Sequence, residues 1–308
     1  MAIELGILGA GNMAEAIAAG VIRGRLLEPE QIVAADVSAE RRLAFEARLG
    51  IVTTDDPAAA AKDAAMVLLS VKPQHMAGLL DSIAGVMQPS QLIVSIAAGI
   101  STRFIESRLS AADARGASDA RGASDARGAS DARAAGDARG ESDARPASDA
   151  TPWRVIRTMP NTPMLMGAGM VALARGSRAT QADADRATSL FATAAKVIQV
   201  TEDKLDAVTA VSGSGPAYFF LLVEQMIRAG EALGLTPAEA RTLSIQTAVG
   251  AARMLSESAD SPEELRRKVT SPNGTTHAAV ALMQERGADV AMADAVQAAA
   301  RRSRELGS

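Results

Sequence analysis

The opening stretch of the chain constrains the fold more than any other. Residues Ile3 to Leu8 form a short apolar run, Gly9-Ala10-Gly11-Asn12-Met13-Ala14 turns the chain, and Glu15 to Arg23 has a helical pattern. A second apolar run, Ile32 to Ala35, ends in Asp36. Strand, glycine turn, helix and acid-tipped strand predict the first βαβ unit of a dinucleotide-binding sheet. The glycines let backbone approach a diphosphate, the helix start faces its charge, and the acid meets a ribose hydroxyl. The candidate cofactor-binding residues here are Leu8, Gly9, Ala10, Gly11, Asn12, Met13 and Asp36.

The alternation continues. A helix is expected from Ala39 to Arg48, a short strand from Ile51 to Thr53, and a helix after Asp55-Asp56-Pro57. Met66 to Val71 reads as a buried strand stopped by Lys72-Pro73, with a helix from Gln74 to Met87 and a strand from Gln91 to Ala97. Strands and helices alternating at this spacing imply a parallel, doubly wound sheet. Ligands bind beyond the carboxyl ends of such strands, which adds Ser70, Val71, Lys72 and Pro73, and the segment Ser95 to Gly99, to the cofactor crevice.

Near Ser110 the pattern stops. From Asp113 to Asp149 an Asp recurs every six residues, with Arg usually two places on, and the apolar side chains are almost all Ala. That period matches neither a helix nor a strand face, so 110–150 is expected to be a disordered, low-complexity insertion. Lengthening a connection from about 5 to about 40 residues costs roughly 2 kcal/mol of closure entropy, which a fold can carry.

Order resumes at Trp153. Arg154 to Arg157 reads as a strand, Met159-Pro160-Asn161-Thr162-Pro163-Met164 as a rigid turn, and Met170 to Ala174 as another apolar stretch. After Arg178 the pattern is helical apart from a short extended piece at Val197 to Val200. The expected organisation is a sheet domain over 1–109 and 151–178, the insertion at 110–150, and an all-helical domain over 179–308. The helices of that last domain are Ala-rich and more apolar than one small domain needs, which suggests pairing between copies.

One loop in the helical half has chemical character. Thr270-Ser271-Pro272-Asn273-Gly274-Thr275-Thr276-His277 breaks the chain and then opens a helix. Unpaired N–H groups at that start, with the Ser271, Thr275 and Thr276 hydroxyls among them, make a seat for a small carboxylate.

Composition excludes several other classes. With 2% aromatic residues and a net charge of −4, the chain lacks the stacking surface and the positive field of a nucleic-acid binder. There is no cysteine, so no disulfide or thiolate chemistry, which fits a cytoplasmic protein. No His/Asp/Glu cluster has metal-ligand spacing, the N-terminus lacks a signal-peptide pattern, and no apolar run is expected to span a membrane.

Five motifs in order, Gly9-Ala10-Gly11-Asn12-Met13, Ser70-Val71-Lys72-Pro73-Gln74, Arg157 to Pro163, Ser212-Gly213-Ser214-Gly215-Pro216-Ala217-Tyr218 and Thr270 to Thr276, resemble the pyrroline-5-carboxylate reductases of proline biosynthesis. The resemblance covers the chain outside 110–150. It implies an α/β fold, with an N-terminal Rossmann-type doubly wound sheet followed by an all-helical C-terminal dimerisation domain, and assembly as a homodimer or a ring of dimers. It also implies NADPH or NADH as cofactor and hydride transfer to the cyclic imine of pyrroline-5-carboxylate. Thr276 would hydrogen-bond the imine nitrogen as the catalytic residue, while Ser271, Gly274 and Thr275 would hold the substrate.

The chain departs from the family at Asn273, where Gly is usual; Asn tolerates left-handed backbone better than most residues. Asp36 favours NADH, whereas Arg41 and Arg42, one helical turn on, could reach the 2′-phosphate of NADPH. His277 points about 100° from Thr276 on the helix and is expected to pack at a surface or interface. His75 is read as a helix-start residue and Ser214 as a helix cap. Two rival readings are a β-hydroxyacid dehydrogenase, whose lysine helix pattern is absent here, and a non-catalytic NAD(P)-binding scaffold.

Overall fold

The computed structural model describes residues 2–111 and 152–307, so the expected insertion at 110–150 lies outside the described residues except for its first two positions, which end a helix. The chain forms two compact units, Met1–Val208 with Ser303–Ser308, and Thr209–Arg302.

The first unit is built on an eight-stranded sheet of order β3-β2-β1-β4-β5-β6-β7-β8. Its elements are β1 Leu5–Leu8, α1 Asn12–Arg23, β2 Ile32–Ala35, α2 Ala39–Leu49, β3 Val52–Thr54, α3 Pro57–Ala61, β4 Met66–Leu69, α4 Met76–Ile83 and β5 Leu92–Ser95. Then come a helix over 102–111 (α5), β6 Arg154–Pro160, β7 Gly169–Arg175, α6 Gln181–Ala192, β8 Ala195–Gln199 and the single turn α7 Leu205–Val208. β1 lies between β2 and β4, with Leu8 paired to both Ala35 and Leu69. The strand order reverses there, which leaves a crevice past Leu8.

The central strands are short apolar runs because both sheet faces are covered. Leu5, Ile7, Met66, Leu68, Leu92 and Val94 point towards α1, α2 and α6, where they meet Ile17, Phe45 and Phe191. Leu8, Val67, Leu69 and Ile93 point the other way, onto Ala60, Leu80 and Ile105 from α3, α4 and α5. Local signals set the helix starts. The Asp56 side chain accepts from the Ala58 N–H at 2.8 Å with Pro57 at the first helical position, and Ser38 caps α2.

The sheet differs from expectation in two ways. β7 runs antiparallel to β6, because the turn Thr162–Met166 between them is too short for the crossover that parallel strands require. The domain boundary also lies beyond the expected 178/179. β8 pairs with β7 from Gly169↔Ala195 to Leu173↔Gln199, and Ala184, Ala187, Leu190 and Phe191 of α6 are fully or almost fully buried in the sheet's core. Helix and extended piece together are one more αβ step, which a largely helical pattern hid. Glu202 ties the next turn to this unit, accepting from the Thr102 N–H at 2.8 Å and the Thr102 hydroxyl at 2.6 Å and pairing with Arg157 at 3.2 Å.

The second unit is helical: α8 Gly215–Ala232, α9 Pro237–Glu257, α10 Pro262–Lys268, α11 Thr275–Glu285 and most of α12 Ala288–Leu306. Thr236 with Glu239 and Ser261 with Glu264 form capping boxes that start α9 and α10. Before α8 the chain makes a π-helical turn, Thr209–Gly213, with the Ser214 N–H reaching Thr209 O at 2.8 Å. Pro216 has no N–H to continue the regular ladder, and the Tyr218 hydroxyl donates to Ala210 O at 3.0 Å.

Around α8, the consecutive residues Phe219, Phe220, Leu221 and Leu222 are 63%, 68%, 58% and 48% exposed. Neighbours on a helix point about 100° apart, so the apolar surface goes round the helix. The expectation that no segment reaches membrane-spanning length is corrected. Among the described residues one helical stretch, Glu202–Ala232, is long and apolar enough by length and composition alone, an 18-residue window within it having a mean hydropathy of 1.2. The breakers at 212–216 divide this stretch in the sequence, and the π turn bridges them.

Candidate functional site

Past the carboxyl ends of β1, β2 and β4 lies a cavity of about 490 Å³. Seven of the eleven expected cofactor residues line it: Leu8, Gly9, Gly11, Asp36, Ser70, Val71 and Lys72. Gly9 has φ +106°, and a Cβ there would lie 2.9 Å from the carbonyl carbon and oxygen of Ser70. Only glycine lets the two strand ends approach so closely. Gly11 is the N-cap of α1 without a side-chain cap bond, and a Cβ there would meet nothing within 4 Å. The N–H groups of Asn12, Met13 and Ala14 in the first helical turn have no intrahelical acceptor. Open space bounded by glycine and helix N–H groups fits a nicotinamide dinucleotide's diphosphate.

The remaining expected residues sit around this cavity. Ala10 is buried behind the turn, Asn12 and Met13 open α1, and Pro73 starts a 3-10 turn, Pro73–His75, that leads into α4. The cavity also takes in Val37, Asp55, Pro57, His75, Gly78, Leu79 and Ser82, which the motifs did not indicate. Of these, 75, 78, 79 and 82 form one face of α4 and its lead-in at helical spacing, about 100° round from the buried Met76, Leu80 and Ile83. The apolar periodicity of 76–83 was the available signal for that less buried stripe. His75 is therefore both a helix-start residue and part of the cavity wall.

Both carboxylate oxygens of Asp36 accept backbone N–H groups at 2.8 Å, Oδ2 from Ala10 and Oδ1 from Ser38. Arg41 Nε donates to Ala10 O at 2.7 Å, and its guanidinium faces Glu15 at 3.4 Å, which in turn pairs with Arg48 at 2.7 Å. Arg42 lies over the end of β2, donating to Asp36 O at 2.7 Å and Val37 O at 3.2 Å. Of the two arginines, Arg41 is drawn into the glycine turn, while Arg42 stays at the rim.

The segment Ser95 to Gly99 does not line the cavity. Ser95 O accepts the Thr158 hydroxyl at 3.0 Å, and Gly99, at φ +77°, packs on the backbone of Leu306 and Gly307. The turn after β6 is fixed by Asn161, whose Oδ1 accepts the Met170 N–H at 2.8 Å. Ser214 occupies the N-cap of α8 but makes no side-chain cap bond, contrary to its expected role; with αR backbone and the π turn before it, the helical path scarcely breaks.

In the second unit, Ser271 O accepts the Gly274 N–H at 3.0 Å, closing a turn with Pro272 and Asn273 at its corners. Asn273 has φ +60°. Proline followed by a left-handed residue is the pattern of a type II turn, and Asn is the non-glycine residue that accepts it at low cost. Gly274 caps α11 with extended backbone and no side-chain bond. The N–H groups of Thr275, Thr276 and His277 then open the helix, and its first internal bond is Ala278 N–H to Gly274 O at 3.1 Å. Thr276 is half-buried, whereas Ser271, Thr275 and His277 are exposed. Three helix N–H groups beside hydroxyls suit a carboxylate.

The family model described as pyrroline-5-carboxylate reductase dimerisation matches residues 202–306. That described as NADP oxidoreductase coenzyme F420-dependent matches residues 4–99. The pyrroline-5-carboxylate reductase of Pseudomonas aeruginosa is 38% identical over 304 residues, covering 98% of this chain and 96% of the relative. That of Synechocystis is 35% identical, covering 100% and 99%. A solved pyrroline-5-carboxylate reductase from Coxiella burnetii superposes with a TM-score of 0.80 at 30% identity, over the full length of both chains. The Plasmodium falciparum pyrroline carboxylate reductase, solved with NADP bound, shares the fold, with a TM-score of 0.77 at 22% identity over 99% of this chain and 98% of that one. Similarity that runs from the glycine turn to the last helix leaves one assignment: the chain belongs to the pyrroline-5-carboxylate reductase family.

Proposed function

We infer that this chain reduces 1-pyrroline-5-carboxylate to L-proline with NADPH or NADH, the last step of proline biosynthesis. The observation that carries the reading is the full-length identity of 38% and 35% to two reductases of that name. The glycine-bounded cavity and the Ser271–Thr276 loop are the local features that support it. When bound, the reduced nicotinamide would supply the hydride that goes to C5 of the imine, with a proton from solvent completing the ring amine.

The chain's own residues bind and orient. Gly9 and Gly11 with the α1 N–H groups hold the diphosphate, Asp36 receives a ribose hydroxyl, and Arg42 at the rim receives a 2′-phosphate when NADPH is used. Ser70, Val71 and Lys72 form the facing wall, and Pro73 starts the turn that follows them. In the helical unit, Ser271, Gly274 and Thr275 hold the substrate carboxylate on hydroxyls and helix N–H groups. Thr276 donates to the imine nitrogen, polarising C=N and stabilising the charge that shifts as the hydride arrives. The family supports a homo-oligomer. We propose that the exposed apolar circumference of α8 is covered by a second copy, giving a dimer or a ring of dimers, and that the enzyme works in the cytoplasm.

The test is pyrroline-5-carboxylate-dependent oxidation of NADPH and of NADH, followed spectrophotometrically. Thr276→Ala should lower kcat about a hundredfold with little change in cofactor affinity. A variant that turns over like wild type removes Thr276 from the chemistry.

A further inference from the structure

We propose that Arg41 is a positioning residue that clamps the Ala10 peptide of the glycine turn, and that it does not contact the 2′-phosphate. The proposal rests on the dinucleotide reading of the crevice and assigns a role within it. Four hydrogen bonds close a ring. Ala10 N–H donates to Asp36 Oδ2 at 2.8 Å, Ser38 N–H to Asp36 Oδ1 at 2.8 Å, Arg41 N–H to Ser38 Oγ at 3.4 Å, and Arg41 Nε to Ala10 O at 2.7 Å. Ala10 is thereby held at both its N–H and its C=O, from a strand end and a helix that lie 26 and 31 residues further along the chain.

The turn needs such a hold. Ala10 stands between two glycines, so the peptide planes on either side of it rotate with little steric resistance. In a planar trans peptide, C=O and N–H point opposite ways. Fixing Ala10 C=O on Arg41 therefore aims the Gly11 N–H away from the Arg41 side chain, and fixing Ala10 N–H on Asp36 holds the preceding peptide plane in place. A rotated peptide would present carbonyl oxygen to a diphosphate in place of N–H. The charge of Arg41 is already met by Glu15 at 3.4 Å, and Arg42 is the arginine that stays beside the exposed Val37 at the end of β2.

Arg41→Met keeps the aliphatic stem and removes the clamp, and Arg41→Lys keeps the charge without the planar fork. Titration calorimetry with ADP-ribose and with 2′-phospho-ADP-ribose should show both ligands weakened about tenfold in Arg41→Met, the loss of roughly one charge-assisted bond. Arg41→Lys should fall between it and wild type. In steady-state assays the change should sit in KM for the cofactor and not in kcat. Unchanged affinities overturn the proposal, and so does a loss confined to the 2′-phosphorylated ligand, which would make Arg41 a phosphate contact. Wild type that binds neither ligand would instead refute the dinucleotide reading of the crevice. Should Arg41→Met fail to fold, Arg41→Lys decides alone, by the same equality between the two ligands.

Discussion

The two glycines of the N-terminal turn should fail in different ways when each gains a methyl group. Gly9 has φ +106°, and its Cβ would lie 2.9 Å from Ser70 backbone and 3.0 Å from Val71 N. The dihedral alone costs about 1–3 kcal/mol in an L-residue. Moving the end of β4 to make room costs about 1–3 kcal/mol more. The total for Gly9→Ala is roughly 2–6 kcal/mol, a large fraction of an ordinary domain's stability. It should appear as a fall in Tm of roughly 5–20 °C.

Gly11 has φ −76° and ψ 174°, which any residue adopts, and its added Cβ meets nothing within 4 Å. Gly11→Ala should lose only about 0.5–1 kcal/mol, the N-capping preference of glycine over alanine. Its methyl group would occupy the cavity edge, where the diphosphate is proposed to bind, so NADPH affinity should fall roughly 10–100-fold, about 1.4–2.7 kcal/mol. Thermal melts without ligand and titration calorimetry with NADPH separate the two effects. A Gly9→Ala protein as stable as wild type would refute the close approach of β1 and β4. A Gly11→Ala protein that binds NADPH normally would place the diphosphate elsewhere.

Other outcomes follow from the helical unit. Asn273→Gly should leave KM for pyrroline-5-carboxylate within about twofold of wild type, because glycine accepts φ +60° freely. Asn273→Ala, which pays about 1 kcal/mol for left-handed backbone, should raise that KM, and equal constants in all three proteins would separate the turn from substrate binding. Phe220→Glu places a charge on the apolar circumference of α8 and should shift the assembly to a smaller species in analytical ultracentrifugation. The Glu239 carboxyl, bonded first by the Thr236 N–H and then by its hydroxyl, is held below its ordinary 4.5. A depressed folded-state value means stability that is present above pH 4.5 and lost as pH falls through the folded value. Glu239→Gln should therefore flatten the pH dependence of Tm in that acid window.

The sequence was most legible where the chain alternates. Apolar runs at Leu5–Leu8, Ile32–Ala35 and Met66–Leu69 read as buried parallel strands because they are short and alternate with helical patterns, and the glycine turn between the first strand and helix located the crevice. The left-handed Asn273 was legible too, since Pro272 before it leaves few turn geometries. What escaped is non-local. β8 is only five residues long, follows closely on α6 and takes its identity from pairing with β7. The hold of Arg41 on Ala10 joins residues that no period or motif relates. The antiparallel β7 follows from the length of the connection before it, a quantity that apolar patterning does not report.

The helix α5 leads from β5 to its parallel neighbour β6, with Leu92 opposite Arg154 at the start of both strands. A strand–helix–strand crossover of this kind brings the chain back to the amino ends of the strands before the next one begins. The described residues resume at 152, just before β6 and at the opposite end of the sheet from the glycine turn. The described chain therefore leaves α5 and re-enters at β6 at the end of the sheet away from the glycine turn, so a group joined at residue 111 or 152 starts at a distance from the cofactor crevice.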